Sequence, residues 1–517
     1  MQAVNRVKRL RRGLLWLSVA ALVLGALPLY AISLYNHPYY DDYGFSAKAH
    51  QAWRDTGSVG AVLRAAWESA LETRQGWQGT YTGTLLSNVQ PGIFSEQLYF
   101  IGTFVLLTAF IACFLYFFSV VMGRLGMDRT GRWTLGCLAV TLMIQFMPDA
   151  GEAFFWFNGG IGNTFVYSLM ALAAALMVRL AEAKGRAVGL TAALCVLMVL
   201  LGGGSYGGGL LSVCMLAVCL VWMLRARHPR RWRFAGLAAL LLICFAYSMS
   251  APGNAVRAGV IGYRAPAVKA VLQALYYGVA QMSAYLRPAL IAVTLAALPA
   301  LYGAAKKSPW RFSHPWLVLG LTGALYCTQM TPPLYAIASI GAGRIVNTYF
   351  ISFVALWFPA VYYLAGFAAR RLEAAGRGQL IRPLTARSYG ALLAVSLCLL
   401  GMGCLACRPA GEALYGVQNL SGPSAALSIL SGEAARYDAE MTLREEALND
   451  PAQPVVTRSP LTAVPDVFMD DLIVPGAEYD VRPSLAAYYG KEAILIAGEE
   501  AAPSDMRLRS AACPTGR

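Results

Sequence analysis

The stretch Asn36-His37-Pro38-Tyr39-Tyr40-Asp41-Asp42-Tyr43-Gly44-Phe45 sets two adjacent carboxylates among aromatic rings. Neighbouring carboxylates repel, which lifts one of them toward the range of a general base able to take a proton from a hydroxyl. The same pair would also hold a divalent cation, form a solvated turn or cap a helix, since Asp favours both of the last two positions. Two arginines far along the chain offer complementary chemistry. Arg257 follows Ser250-Ala251-Pro252-Gly253-Asn254, and Arg344 closes Gly341-Ala342-Gly343-Arg344. A guanidinium presents a planar fork that matches phosphate oxygens, so both are candidate phosphate ligands, with Arg264 and Lys269 near the first. An arginine at the end of a membrane helix also snorkels to lipid headgroups without any such role. Asn254 would orient Arg257 or bind a sugar.

Other candidates are aromatic. Phe154-Phe155-Trp156-Phe157-Asn158 could stack on a pyranose face or a prenyl chain through Trp156, with Asn158 binding hydroxyls. The reading preferred for the run is nonetheless an aromatic belt at the membrane interface. Asp149 and Glu152 precede it and form a second carboxylate pair to set beside Asp42. Trp77-Gln78-Gly79-Thr80-Tyr81 offers sugar-recognition chemistry or ordinary loop packing. His37 and His50 flank the acids, but the chain has 4 histidines in all and no His-x-x-x-His, so no metal site is expected. No cofactor is indicated, a divalent cation at the acids being the one conceivable exception. Gly202–Gly209 lacks the Gly-Lys-Ser/Thr of a phosphate loop and reads as a tight hairpin or a close backbone approach. No Ser-His-Asp set or dinucleotide fingerprint appears.

The elements that must position these residues are membrane helices. Of 517 residues 57% are hydrophobic and 13% charged, about half the charged fraction of a soluble domain. About eleven apolar runs are long enough to be spans, near 13–35, 98–120, 133–148, 162–180, 187–203, 207–224, 234–250, 287–305, 314–332, 346–368 and 388–406. The first is too long for a cleaved leader. A further run, 266–286, is a span or a surface helix. The net charge of +15 does not point to nucleic acid, because the basic residues sit in short clusters between spans. With a cytoplasmic N-terminus, the segments 1–12, 121–132, 179–186, 225–233, 306–311 and 370–387 all fall inside, and each holds at least three Lys or Arg. The turns at 148–161 and 203–206 hold none. That alternation sets the orientation. All the polar motifs then lie outside, in a first external loop (36–97), in shorter loops and in a tail from 407 to 517 that carries 16 of the 27 acidic residues. Within the loop, Val59, Val62, Leu63, Ala66, Trp67 and Ala70 recur at helical spacing, as in a helix lying on the membrane surface. Most cysteines sit inside apolar runs as small hydrophobes; Cys407 and Cys513 are the one plausible disulfide. In the tail, Asp471–Val474 and Ala493–Ala497 suggest strands.

The layout resembles the GT-C superfamily of integral-membrane glycosyltransferases, through Asp41-Asp42 at the start of a long first external loop and the amphipathic run after Gly57. It is also similar to bacterial membrane families that share an Asp-Asp-Tyr start, Pro252-Gly253-Asn254-x-x-Arg257 and a late Tyr488-Tyr489-Gly490. The GT-C resemblance implies an all-α polytopic fold, a transmembrane domain over 1–406 and a small extracytoplasmic C-terminal region. It implies a polyprenyl-phosphate-linked sugar as donor and a glycan, lipid or protein as extracytoplasmic acceptor, with cell-envelope polysaccharide as the setting. Asp41 or Asp42 would be the base of an inverting transfer, and Arg257 and Arg344 would steady the leaving phosphate. The location implied is the bacterial inner membrane, among its lipids. A transporter or flippase of lipid-linked saccharides is the alternative, but it would place ionisable groups at mid-membrane, and the runs contain few. A non-catalytic envelope-assembly protein is the third reading.

Overall fold

The computed structural model describes residues 2–262, 264–377, 385–408, 414–470 and 480–497. Each segment read as a span is helical. Among the described residues, eight helices are long and apolar enough to cross a membrane: Asn5–Tyr35, Glu96–Arg124, Phe157–Glu182, Tyr206–Arg225, Arg231–Met249, Pro288–Lys307, Gly343–Ala374 and Ala386–Leu405. The other three expected spans are Arg129–Gln145, Val188–Gly202 and Pro315–Thr328, of 17, 15 and 14 residues. At about 1.5 Å per residue these fall short of the roughly 30 Å hydrocarbon core. The chain is an all-α polytopic membrane protein, with eight helices of spanning length among the described residues.

Charge in the long helices is confined to the regions near their ends, as in Arg124, Arg179, Glu182, Arg225, Arg344 and Arg370. The six basic segments meet at one end of the bundle. Arg11 pairs with Asp128 at 2.5 Å and Arg124 with Glu182 at 2.6 Å. Arg230 donates to the carbonyl of Ala183 at 2.5 Å, and Arg370 to that of Ser308 at 2.5 Å. Lys307 is near enough to Asp128 to favour its charge. The alternation inferred from charge is thus realised in space.

Close helix contacts rest on small residues, which let backbones approach where the hydrophobic effect between helices is weak. A Cβ on Gly403 would lie 2.7 Å from the Ala289 nitrogen, and one on Gly202 would lie 2.4 Å from the Cys244 Cβ. The Gly202–Gly209 stretch is both the hairpin and the close approach expected. It joins Val188–Gly202 to Tyr206–Arg225, with Ser205 capping the second helix.

At the opposite end the first loop folds into helices Asp41–Thr56, Val59–Gly76 and Tyr81–Ser87. Ser58 caps the second by accepting from the Ala61 N–H. That helix buries Val62, Ala66, Ser69 and Thr73 and exposes Val59, Leu63, Trp67 and Leu71. The expected apolar face is therefore split, one stripe packing inward and one turned out. Segment 266–286 is the helix Ala267–Tyr285, with Val268, Leu272, Tyr276 and Val279 exposed.

The tail shares a core with this loop. Its helices Ser421–Leu430, Glu433–Asn449 and Arg482–Tyr489 accompany two short parallel strands, Val455–Arg458 and Ala493–Ile496, in register from Val455↔Ala493 to Arg458↔Ile496. Tyr43 of the loop packs with Leu448, Val456, Val481, Leu485 and Ile494 of the tail. The strand expected at Ala493 is present. Asp471–Val474 and the Cys407–Cys513 pairing lie outside the described residues.

Candidate functional site

The two aspartates separate at the start of their helix. Asp42 is 0% exposed and saturated with donors. The Tyr39 N–H donates to its Oδ2 at 3.1 Å, the Tyr99 hydroxyl to the same oxygen, and the Asn158 N–H to its Oδ1 at 2.9 Å. Burial pushes its carboxyl up to about 7, the three donors and then Asp41 being smaller influences, only the last of them acting in the same direction as burial. A pKa near neutrality suits a base, but a base must also reach its substrate. Asp42 instead ties the loop to the helix Glu96–Arg124 and to the turn at Asn158. Asp41 is only half-buried. It follows Tyr40, whose φ of 50° is costly for a bulky side chain, by about 1–3 kcal/mol for such backbone strain.

Arg257 is half-buried. Its Nη1 donates to Gln78 Oε1 at 2.9 Å and its guanidinium sits 5.2 Å over the Trp77 ring. Burial pulls the guanidinium below its ordinary value and Arg344 acts the same way, while Tyr206 and Asp41 oppose them. Arg257, Arg344 and Asp41 therefore share one electrostatic neighbourhood. Asn254 is engaged structurally. Its Oδ1 accepts from the Tyr206 hydroxyl and the Gly79 N–H, and its Nδ2 donates to the carbonyls of Ser248 and Met249. Gly253 is required here, since a Cβ would lie 2.4 Å from the Trp77 nitrogen.

Arg344 opens the helix Gly343–Ala374 and lies 4.9 Å over the Trp156 ring. Its Nη1 is 3.6 Å from Glu152 Oε1, and its backbone N–H donates to the other oxygen. Trp156 also meets Tyr40, ring centroids 5.5 Å apart. The aromatic run is not a lipid-facing belt. Phe154, Phe155 and Trp156 are at most 2% exposed, because a π-helical turn, Gly151–Phe155, rotates them inward. Such turns recur at functional sites. The Trp156 Nε1–H has no acceptor among the described residues. Asn158 is engaged through its N–H to Asp42 and through its Oδ1, which accepts from Ser87 at 2.6 Å. Asp149 accepts from the Glu152 N–H at 2.8 Å, and burial raises its carboxyl to about 6, with Glu152 and Asp470 adding and Arg344 opposing.

A buried polar network pins the tail beside this cluster. His37, 4% exposed, reaches Glu96 at 3.3 Å through Nδ1 and Asp438 at 2.9 Å through Nε2. The Tyr489 hydroxyl donates to Glu96, and that of Tyr437 to Tyr39 at 2.6 Å. Burial disfavours charge on His37, yet the two carboxylates outweigh it and push the imidazole up to about 9. His50 stacks on Tyr488 at 3.9 Å and donates through Nδ1 to the Ile93 carbonyl. Both histidines are engaged by groups of the protein itself, and no cluster of metal-ligating side chains occurs among the described residues.

Two of the three short motifs meet, and the third packs on the first loop. Asp-Asp-Tyr touches Tyr-Tyr-Gly through Tyr43 and Tyr488, with centroids 5.2 Å apart, and Pro-Gly-Asn-x-x-Arg holds Trp77-Gln78-Gly79. Tyr99, Glu96, Asp438 and Asn347, whose Nδ2 donates to the Asp149 carbonyl at 2.6 Å, were not among the expected residues. Glu96 carried a signal, being a lone acid at the head of an apolar helix. Tyr99 and Asn347 carried none. Fold and site define a polytopic α-helical membrane protein with a polar cluster of arginine, tryptophan and carboxylate at one end. Compared with protein-family models, curated proteins and solved structures, the chain finds no match in any of the three.

Proposed function

We propose that the chain is a membrane glycosyltransferase of GT-C type that moves a sugar from a polyprenyl phosphate to an extracytoplasmic acceptor. The observation that carries this reading is the convergence of Arg257 and Arg344, from distant helices, on the neighbourhood of Asp41. Arg344 adds to the cost of charge on the half-buried Arg257, an anion between them offsets that cost, and a phosphate suits their forks. Each stacks on an indole, which fixes its plane, and the unpaired Trp156 N–H would find an acceptor on an oxygen-rich ligand. The basic end of the bundle is then cytoplasmic, the first loop and tail extracytoplasmic, and the membrane the bacterial inner one.

In the reaction, Asp41 takes the proton of the acceptor hydroxyl as its oxygen attacks the anomeric carbon. The bond from that carbon to the phosphate oxygen breaks, and the electron pair leaves with the phosphate, held by Arg257 and Arg344. In-line attack inverts the anomeric centre. Asp42 positions Asp41 and does not touch substrate. The acceptor has an approach through a cleft lined by Tyr39, Tyr40, Glu96, Arg444, Glu445 and Asp470, between the loop and the tail. Confinement of charge to the helix ends favours this chemistry over a conduction path.

The test is full-length protein in vesicles containing undecaprenyl-phosphate-linked radiolabelled hexoses, followed for release of undecaprenyl phosphate with cell-envelope extract as acceptor. Release that is lost in Asp41→Asn is the expected result. No release from any donor, or wild-type turnover in Asp41→Asn, overturns the proposal.

A further inference from the structure

At the basic end, the loops 183–187 and 226–230 face each other and are locked together by Arg230 of the second loop and Arg233 of the helix that follows it. Arg230 Nη2 donates to the carbonyls of Ala183 at 2.5 Å and Gly185 at 2.8 Å. Arg233 donates to the carbonyl of Arg186 and to Thr191 Oγ1 at 3.2 Å. Arg231 Nη1 closes the second loop on the Arg227 carbonyl at 3.2 Å. Each loop also holds a residue in the left-handed region, Ala187 and Arg227 both at φ 48°. This bracing leaves Lys184, Arg186, Arg225 and Arg227 exposed on one rim, with no ion pair among the described residues. The single carboxylate between residues 179 and 233, Glu182, is taken by Arg124.

Topology alone requires basic residues here, but not a braced pair of loops. It also does not require what lies beneath them. Trp222 and Trp232 are 60% and 71% exposed, and Val188, Val221 and Leu224 are exposed on the same helix ends. Indoles favour the membrane–water boundary, and the exposed apolar side chains beside them offer a face for acyl chains. Cations, indoles and exposed aliphatic side chains therefore adjoin one another at these helix ends, as the headgroup and chains of a phospholipid require. Basic pockets between helix ends on the cytoplasmic side hold multiply charged lipid headgroups.

We propose that these loops bind the headgroup of an anionic phospholipid carrying two phosphates, with its chains along Val188, Val221 and Leu224. This site is at the end of the bundle away from Asp41, and the proposal does not depend on the transferase reading. The test uses the full chain, purified in neutral detergent and examined by native mass spectrometry with tetraoleoyl cardiolipin, dioleoyl phosphatidylglycerol and dioleoyl phosphatidylcholine. Cardiolipin should bind at least tenfold more tightly than phosphatidylcholine. The triple variant Lys184→Gln/Arg186→Gln/Arg227→Gln should lose at least tenfold of that, while Lys306→Gln/Lys307→Gln keeps it. The triple variant leaves Arg230, Arg231 and Arg233 in place; should it nonetheless fail to fold, Arg227→Gln alone should weaken cardiolipin at least threefold. Equal cardiolipin binding by the loop variants and wild type, an equal loss in the Lys306/Lys307 control, or full competition by 10 mM inorganic phosphate would each overturn the assignment.

Discussion

Asp42 and Tyr99 are joined inside the protein, the phenol donating to a carboxylate that solvent does not reach. This contact fixes the start of the first loop to a spanning helix. Tyr99 in turn accepts from the Phe157 N–H at 2.9 Å, so the bond also reaches the turn that carries Trp156.

Asp42→Ala leaves the Tyr39 N–H, the Tyr99 hydroxyl and the Asn158 N–H without their acceptor. At about 1–3 kcal/mol for each unsatisfied buried donor, less relaxation, the loss should be about 3–5 kcal/mol. Asp42→Asn keeps one acceptor oxygen and should cost about 1–3 kcal/mol. Thermal unfolding of the purified protein, followed by intrinsic fluorescence, measures both, with Asp41→Asn clearly less affected. The pH dependence has a defined sign. The Asp42 carboxyl rises from 3.8 unfolded to about 7 folded, so its contribution is full below pH 4 and falls away as pH rises through 7. Asp42→Asn should flatten that interval.

His37 gives a second pH dependence, in a different place. Its imidazole rises from 6.5 unfolded to about 9 folded, held by Asp438 and Glu96. The stabilisation is complete below pH 6.5 and lost as pH passes 9. Because Asp438 belongs to the tail and Glu96 to the loop, the loss should loosen the tail first. Hydrogen exchange in Glu433–Asn449 should accelerate between pH 7 and 9.5, beyond the intrinsic base-catalysed rate, and the excess should vanish in His37→Gln. An unchanged excess in that variant would remove His37 from the role.

Much of this architecture was legible in the chain because its determinants are local. Apolar length fixes the long helices, and the clusters at Arg11, Arg124, Arg230 and Arg370 fix which ends meet, since charge near a helix end is decided by the water boundary alone. The helix after Ser58 follows from the spacing of its apolar residues. The site was only partly legible. Arg344 stands out as a cation beside glycines and Arg257 as one following a Pro-Gly-Asn turn, but the division of labour between Asp41 and Asp42 depends on Tyr99 and Asn158, residues of ordinary type in distant segments. The same holds for Asn254, which pairs with Tyr206 although its sequence context suggests a ligand. The tail read as a separate region because its acidic composition differs, whereas its core is completed by Tyr43.

The turn that supports Arg257 can be tested without any substrate. A Cβ on Gly79 would lie 1.9 Å from the Ser248 carbonyl oxygen, and one on Gly253 would lie 2.4 Å from the Trp77 nitrogen. Both obstacles are backbone, so the chain itself must move. Gly79→Ala and Gly253→Ala should each cost about 1–3 kcal/mol, as overpacking does. Gly236→Ala, which meets nothing within 4 Å, should be neutral or slightly stabilising. Unfolding temperatures of the three variants decide it.

The arginines separate a phosphate role from a structural one through their conservative variants. Arg257 engages Gln78 and stacks on Trp77, and Arg344 stacks on Trp156 while its backbone N–H holds Glu152. Lysine keeps the charge and most of the aliphatic stem but loses the planar fork. If the forks grip a departing phosphate, Arg257→Lys and Arg344→Lys should each lower kcat/KM for a polyprenyl-phosphate sugar by roughly 10–1,000-fold, as removal of a transition-state donor does. Their unfolding temperatures should stay within about 1 °C of wild type, a shift of about 1 kcal/mol for a chain of this length. The loss should fall mainly on kcat, because charge on the leaving oxygen grows toward the transition state. A fall in stability that matches the fall in rate would instead make both arginines part of the scaffold. Full activity in both lysine variants would show that point charge is enough and that the indole platforms serve packing alone.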